Sequence, residues 1–441
     1  MIGLNIKVFN MDFGESILLE NSNEILLVDC GSKRSKSVIH DRIKIIREEL
    51  QSDCKKISFM ITHFHIDHYK GYLEAYKDEE LNFPRPFNIY MPWISFKEER
   101  KDKEGKRYKI NLMALVHEAI YLYILYKEVD DRKNFLFWLK GQIEFILDER
   151  NKDCRIVLLK KGDIFTLGTE KMKVLWAQAV PVQKDDEKGE EKVRGIFQKI
   201  EDKIKIEHKE EFQKCKKILT DNIIRFYEML DSNRIERQDG VIEALSITDQ
   251  RADFLDILGR QNQALDVLDD IKKHLNLDDK ERENYRDRLK KIFREGNNAC
   301  SIVFRNYKGL FDNQIPQKYN ILMMGDITKN IIDEYLYEDC LKNTTYKYLK
   351  SPHHGTCTHY TINIPQADNL IISNGNGCKT YRKISSYYFC NGNEFVRKYC
   401  TNKRCEVIDS NRSCNEFNLN SSCHTENFYS ITIEPKSRDK T

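Results

Sequence analysis

The strongest signal in the chain is the stretch Ile57-Ser58-Phe59-Met60-Ile61-Thr62-His63-Phe64-His65-Ile66-Asp67-His68. Residues 57–62 form a mostly apolar run of strand length, which predicts a buried strand. Because residues two apart in an extended segment point the same way, His63 and His65 can bind one metal ion from one side. Asp67 and His68 follow where we expect the chain to turn into a helix, and they can reach a second ion. Three histidines and an aspartate within six positions, from only 11 histidines in the chain, therefore predict a metal site.

The flanking segments alternate between strand and helix patterns. Short apolar runs separated by turn residues predict strands at 6–9, 16–19 and 24–28, and an amphipathic helix follows at 35–50. Further strand patterns lie at 88–92, 155–159, 172–177, 301–304 and 321–324. Apolar strands that alternate with helices indicate an α/β layer architecture with a buried sheet.

Composition limits the remaining possibilities. The chain has 441 residues, of which 40% are hydrophobic, so it can form a real core of up to about three folding units or one domain with long insertions. Its 73 basic and 70 acidic residues give a net charge of only +3, so bulk charge does not indicate a polyanionic partner. The most apolar window, 112–126, is too short for a membrane span and predicts a buried helix. No signal-peptide pattern opens the sequence, and we expect a cytoplasmic protein without membrane contact.

The histidine cluster resembles the hallmark His-x-His-x-Asp-His of the metallo-β-lactamase-fold hydrolases. The sequence is similar, more narrowly, to the hydrolase domain of ComEC-type DNA-uptake proteins. Motifs that keep that group's chain order are Asn10-Met11-Asp12-Phe13-Gly14-Glu15-Ser16-Ile17-Leu18-Leu19, Leu27-Val28-Asp29-Cys30-Gly31, Lys161-Gly162-Asp163 with Val174-Leu175-Trp176, Asn297-Asn298-Ala299-Cys300-Ser301-Ile302-Val303, Met324-Gly325-Asp326 and Ser351-Pro352-His353-His354-Gly355-Thr356. Together they span roughly half of the sequence, all of it outside two long helical stretches.

This resemblance implies a four-layer αββα sandwich interrupted by two helical insertions. The divisions that follow are 1–96, 153–181 and 297–390 for the sandwich, 97–152 and 182–296 for the insertions, and 391–441 for a Cys-rich C-terminal segment. The apolar stripes of the second insertion predict helix packing faces rather than functional surfaces.

The resemblance also implies a set of site residues. His63, His65, Asp67 and His68 become metal ligands, and Asp326 becomes the carboxylate that bridges two ions. Asp67 can also hold or deprotonate the attacking water.

The histidine pair and the nearby aspartate have alternative roles. One of His353 and His354 ligates metal, and the other protonates the leaving oxygen or holds a phosphate. The sequence does not decide their order; we take His354 as the ligand and His353 as the catalytic group. Asp29 is expected to orient a ligand histidine, or else to be an ordinary turn residue.

Two features of the ComEC-type pattern bear on the number of ions. Many metallo-β-lactamase-fold relatives have a further histidine before the bridging aspartate. Between the cluster and Asp326, this chain has histidines only within the insertions, at His117, His208 and His274. ComEC-type domains also lack this further histidine. The late Gly-His-Pro of that group has no counterpart in 371–383. Whether one or two ions bind is therefore open. The ligand set favours zinc, and manganese or iron is compatible with it.

Three functions fit these observations. A metal-activated water can hydrolyse phosphodiester bonds in nucleic acid or a nucleotide, which the ComEC-like motifs favour. The same chemistry can open a lactone, thioester or β-lactam. Alternatively, the site is degenerate, and the helical insertions bind a protein partner or a second copy. Basic stretches at 100–107 and 288–294 could hold phosphates, or they are solvated helix faces.

The cysteines allow two interpretations. Seven of the 13 cysteines fall in the last 85 positions. They are reduced cytosolic thiols, or some of them form a structural zinc site, for which the candidates are Cys400, Cys405, Cys414, Cys423 and His424.

Overall fold

The computed structural model describes residues 4–51, 55–94, 112–126, 135–177, 187–245, 250–309, 312, 317–373, 383–385, 388, 397–401, 406–407 and 430–433. The strands are β1 Asn5–Phe9, β2 Ile17–Glu20, β3 Glu24–Val28, β4 Lys56–Met60, β5 Asn88–Pro92, β6 Arg155–Leu159, β7 Ile164–Leu167, β8 Glu170–Trp176, β9 Arg234–Glu236, β10 Ile242–Ala244, β11 Val303–Asn306, β12 Gln317–Met323, β13 Thr344–Lys350, β14 Gln366–Ile372, β15 Lys383–Ile384, β16 Arg397–Cys400, β17 Glu406–Val407 and β18 Ser430–Ile433.

The helices are α1 Lys36–Leu50, α2 Ile66–Lys77, α3 Leu112–Leu125, α4 Phe135–Leu147, α5 Glu187–Asp202, α6 Ile206–Ser232, α7 Arg251–Lys273, α8 Asp279–Ala299 and α9 Lys329–Ile331. Helix α9 continues into a π-helical segment, Ile332–Leu341. Short 3₁₀ turns occur at Glu79–Leu81, Glu149–Asn151, Pro352–Gly355 and Cys357–His359.

Two seven-stranded mixed sheets form the framework. The first has the order β18-β1-β2-β3-β4-β5-β6 and is parallel from β3 to β6. The second has the order β16-β14-β13-β12-β11-β8-β7 and is parallel from β12 through β14 to β16. The predicted α/β class is confirmed.

Three apolar cores separate the layers. One core joins the two sheets, with Val28 of β3 and Met60 of β4 on one side and Phe304 of β11 on the other. The opposite face of the first sheet, which includes Leu27, packs against helices. A third core lies between the second sheet and the segment that starts at α9. Alternate residues of a strand point to opposite faces, so β3 is buried throughout because both of its faces are covered.

The helices of both predicted insertions share one core with α1 and α2 on the first sheet. The Gln261 side chain of α7 donates to the Leu136 carbonyl of α4 at 2.7 Å, and Arg282 of α8 donates to the Ile124 carbonyl of α3 at 3.1 Å. The predicted packing stripe of α6, which includes Phe212 and Leu230, is buried. A protein partner would therefore have to use other faces of these helices.

The second insertion differs from expectation at one place, where β9 and β10 form a small hairpin within the predicted helical stretch. Gly240 supplies a positive φ of 78° at its turn. The hairpin is held to the framework because Arg234 pairs with Asp163 and Val241 bridges to Ile164. Sequence periodicity does not register such contacts between distant segments.

The C-terminal segment contributes to both sheets. Strand β16 is an edge of the second sheet, and β18 pairs antiparallel with β1. The alternative of a zinc site among the C-terminal cysteines falls on side chains outside the described part of the structure, as do the basic stretch 100–107 and residues 374–382. The described cysteines Cys30, Cys154, Cys215, Cys300, Cys340 and Cys357 are free thiols. Among the described helices, none has both the length and the apolar character to cross a bilayer.

Two glycines permit unusually close backbone packing beside the histidine cluster. A Cβ on Gly31 would lie 2.3 Å from the carbonyl carbon of Asp67 and 2.4 Å from the amide nitrogen of His68. A Cβ on Gly14 would lie 1.9 Å from the carbonyl oxygen of Gly31. The amide of Cys30 donates to the His68 carbonyl at 2.8 Å. The loop before β2, the end of β3 and the start of α2 are thus packed backbone against backbone.

We predict that Gly31→Ala destabilises the protein by about 3 kcal/mol or more, because backbone atoms cannot move aside as a flexible side chain can. Chemical denaturation of the variant and of the wild type measures this change. Gly259→Ala in α7 is the matched control: nothing lies within 4 Å of its added Cβ, so this helical substitution should be neutral or slightly stabilising. Equal stability of Gly31→Ala and the wild type would contradict the account of this packing.

Candidate metal centre

The predicted site residues follow strands that end at one edge of the two sheets. Asp29 follows β3, and the histidine cluster follows β4; Asp326 follows β12, and the histidine pair follows β13. In each sheet these neighbouring strands are parallel, so their carboxyl ends meet. The amide of Ile302 donates to the Thr62 carbonyl at 2.9 Å, which joins the two sheets at this edge.

One carboxylate oxygen is the centre of the group. Asp326 is 1% exposed, and its Oδ2 lies 3.3 Å from Nε2 of both His68 and His354. Nε2 of His353 is 3.7 Å away, and Nε2 of His63 is 4.0 Å away. Four imidazoles thus face a single oxygen, two from the segment after β4 of the first sheet and two from the turn after β13 of the second.

The remaining candidates lie beside this group. Nδ1 of His65 is 2.9 Å from Nε2 of His63, and Oδ2 of Asp67 is 3.9 Å from Nε2 of His354. The structure therefore brings all of the sequence-predicted residues into one cluster: His63, His65, Asp67, His68, Asp326, His353 and His354.

The protonation states of the histidines suit metal ligation on one side of the cluster. Burial lowers the pKa of His63 and lowers the pKa of His65 to about 3, so both imidazoles are neutral at physiological pH and each has a lone pair to donate. For His68, burial alone would lower the pKa, but the charges of Asp326 and Asp29 raise it well above its usual value. A divalent cation would replace that proton.

The carboxylates are held ionised. Burial alone would raise the pKa of Asp326, but the neighbouring His354, His68 and His353 hold it well below its usual value. Lys33, whose Nζ is 2.6 Å from Oδ2 of Asp67, lowers the pKa of that group against the effect of burial.

The atoms at the centre fit a metal ion. Nε2 of His68 is buried and has no hydrogen bond within the described part of the chain, although it lies beside Asp326. Ligand atoms of His63, His68 and Asp326 lie within 4.8 Å of one another, as do those of Asp67, His68 and His354. These buried groups, with their nitrogen and oxygen donors, could hold a metal ion.

Asp29 is more than a turn residue. One of its oxygens accepts the Thr62 amide at 2.8 Å, and the other accepts the Thr62 hydroxyl at 2.7 Å and lies 2.8 Å from Nδ1 of His68. The carboxylate fixes which nitrogen of His68 faces Asp326, the usual arrangement around metal-ligating histidines.

The histidine pair has a strained backbone. His353 and His354 both have positive φ, 43° and 57°, which is rare for residues other than glycine. The His353 amide donates to the Gly325 carbonyl at 3.1 Å, which ties the strained turn to the loop that carries Asp326. Backbone strain of this kind persists where the surrounding contacts hold the residues in place, which is typical of functional sites.

The two imidazoles differ in position. Nδ1 of His354 lies 2.7 Å from the Ser373 carbonyl, which directs its Nε2 to the two aspartates. Nδ1 of His353 lies 2.7 Å from the Thr356 hydroxyl, and its ring stacks on His359 with the ring centroids 3.9 Å apart. His354 is thus the inner member of the pair, with Nε2 near Asp67 and Asp326, whereas Nε2 of His353 lies near Asp326.

The sequence reasoning missed Glu15, Lys350 and Lys33. Lys350 and Glu15 are each 1% exposed, and Nζ of Lys350 lies 2.7 Å from Oε2 of Glu15 and 3.5 Å from Oδ1 of Asp326. The ammonium also donates to the Gly325 carbonyl at 2.8 Å. Burial alone would lower the pKa of Lys350, but Glu15 and Asp326 raise it, so the amine stays charged. The sequence signal that could have identified Lys350 is its position between an apolar strand and the histidine pair.

No protein-family model matches this chain, and no curated protein sequence matches it.

We predict that Lys350→Met destabilises the protein by about 3–5 kcal/mol, because it leaves buried carboxylates without their cation. Urea denaturation and metal titration of the variant measure the effects on stability and affinity. Lys347→Met on the same strand is the matched control: this side chain is half-buried beside Tyr348, and its replacement should cost less than about 1 kcal/mol. Equal costs for the two substitutions would contradict the role of Lys350.

Proposed function

We propose that this protein is a metallo-β-lactamase-fold hydrolase, similar to the hydrolase domain of ComEC-type proteins, that cleaves phosphodiester bonds in nucleic acid or a nucleotide. The observation that carries the proposal is the convergence of His63, His68, His353 and His354 on one oxygen of Asp326. The layer order of helices, sheet, sheet and helices supports the fold assignment. The preference for a phosphodiester rests on the ComEC-like motifs, which keep their order along the chain.

The ligands divide into two groups around Asp326. His63 and His65 would hold an ion on one side, and Asp67, His68 and His354 would hold an ion on the other. Asp326 would belong to both groups. Zinc suits this donor set best, and manganese or iron suits it also. When bound, such an ion acts as a Lewis acid toward a phosphoryl oxygen and lowers the pKa of water.

The protein's own groups have distinct tasks in this proposal. Asp67 has a pKa well below its usual value, which makes it a weak base, so it accepts a hydrogen bond from the attacking water and orients it. His353 lies on the outer side of the pair and delivers a proton from Nε2 to the leaving oxygen. Lys33 has a side chain 32% exposed at Asp67 and can contact an anionic substrate group.

We predict metal-dependent hydrolysis of bis(4-nitrophenyl) phosphate, single-stranded DNA or RNA. Chelation should abolish turnover, and readdition of Zn²⁺ or Mn²⁺ should restore it. Asp326→Ala and His65→Ala should each lower kcat about a thousandfold or more, because several kcal/mol of transition-state stabilisation depend on the centre.

The control is His40→Ala, which replaces a half-buried histidine of α1 beside Asp78 and should leave turnover unchanged. Hydrolysis of lactone, thioester or β-lactam substrates alone would replace the phosphodiester proposal with carbonyl chemistry. Absence of both activities in metal-loaded protein would leave a non-catalytic scaffold.

A further inference from the structure

A second group of potential metal ligands lies in the helical layer and shares no residue with the centre around Asp326. His208 is in the first turn of α6, and His274 follows the last residue of α7. The two ring centroids are 5.2 Å apart, with the ring planes at 23°. Ligand atoms of His208, Asp270 and His274 all lie within 4.8 Å of one another.

Each imidazole has one nitrogen engaged by its own helix. Nδ1 of His274 lies 3.0 Å from the backbone carbonyl of Asp270, and Nδ1 of His208 lies 3.4 Å from Oε2 of Glu211. A nitrogen that donates to a carbonyl or carboxylate carries the proton, so Nε2 of each ring carries the lone pair. Metal-ligating histidines are usually held in this way.

Contacts between α6, α7 and their flanking residues hold the two histidines opposite each other. Helices α6 and α7 run antiparallel: Arg225, in the C-terminal part of α6, pairs with Asp253 near the start of α7. Beyond the histidines, the Asn276 amide donates to the Lys203 carbonyl at 3.1 Å and so joins the turn before α6 to the segment after α7. The approach of the two rings therefore follows from a side-chain ion pair on one side of them and a backbone hydrogen bond on the other.

The burial of the pair suits an exchangeable ion. The His208 side chain is 16% exposed and that of His274 is 44% exposed, so solvent reaches the site and can complete the coordination. Ligand atoms of a tetrahedral zinc ion lie about 3.3 Å apart, which small rotations of these partly exposed side chains achieve.

We propose that His208, His274 and Asp270 form a second divalent transition-metal site, with Zn²⁺ as its ion and water as the fourth ligand. The ion links the first turn of α6 to the end of α7. Its role is to fasten the helical layer, and it does not depend on the hydrolase activity proposed above.

The test is Co²⁺ and Zn²⁺ titration of the full chain, followed by visible absorption, calorimetry and metal analysis. Wild-type protein should bind about one equivalent more than either His208→Ala or His274→Ala. That extra equivalent should remain in Asp326→Ala, and its binding should raise the melting temperature of the protein.

His40→Ala is again the matched control, because His40 lies near Glu74 and Asp78 without a second histidine among its described neighbours. It should bind as much metal as the wild type. If either helical variant fails to fold, the conservative His274→Gln replaces it, and circular dichroism establishes its fold before titration. Identical isotherms for wild type and folded variants would overturn the proposal. Loss of all bound metal in Asp326→Ala would overturn it equally, because the two sites would then not be independent.

Discussion

The buried carboxylate of Asp326 is the constraint on which the rest of the centre depends. A charged carboxylate without partners destabilises a protein interior, but Asp326 has partners at both of its oxygens. Its Oδ2 faces four imidazoles, and its Oδ1 faces the ammonium of Lys350. Glu15 in turn pairs with Lys350, so that one cation lies between two acidic groups. This arrangement directs Oδ2 toward the four imidazoles.

Such convergence requires two sheets that meet at one edge. The imidazoles come from the segments that follow β4 and β13, which are strands of different sheets, and neither segment alone supplies all four. The hydrogen bond between Ile302 and Thr62 joins the segment after β4 to the residue that precedes β11 of the second sheet. The close packing at Gly31 on one side and the strained turn at His353 on the other leave the ligands little freedom. A preorganised centre does not have to order its side chains when an ion arrives.

Local patterns in the sequence predicted the cluster from His63 to His68, whereas Asp326, His353 and His354 were expected from the family resemblance. Apolar runs of strand length and turn residues located β3, β4 and β5, and the spacing of the histidines indicated a shared metal ligand set. Lys350, Glu15 and Lys33 were missed because their roles depend on residues far away in the chain, which no local period encodes. The same reason explains β18: its pairing with β1 joins the two ends of the described chain. The packing of both insertions into one helical core likewise depends on contacts between distant residues, such as the hydrogen bond from the Gln261 side chain to the Leu136 carbonyl.

Helix α8, which begins in the second insertion and continues past its predicted end at residue 296, is also coupled to the centre. Helix α8 ends at Ala299, whose carbonyl accepts the indole N–H of Trp176 at 2.8 Å, so the helix terminus is anchored to the end of β8. The Asn297 side chain accepts the amide of Phe64, between the first two histidines, at 3.3 Å. These contacts join the end of α8 to the second sheet and to the loop that carries His63 and His65. Helix α8 is therefore part of the structure that positions the histidine cluster, although it packs on the far face of the first sheet.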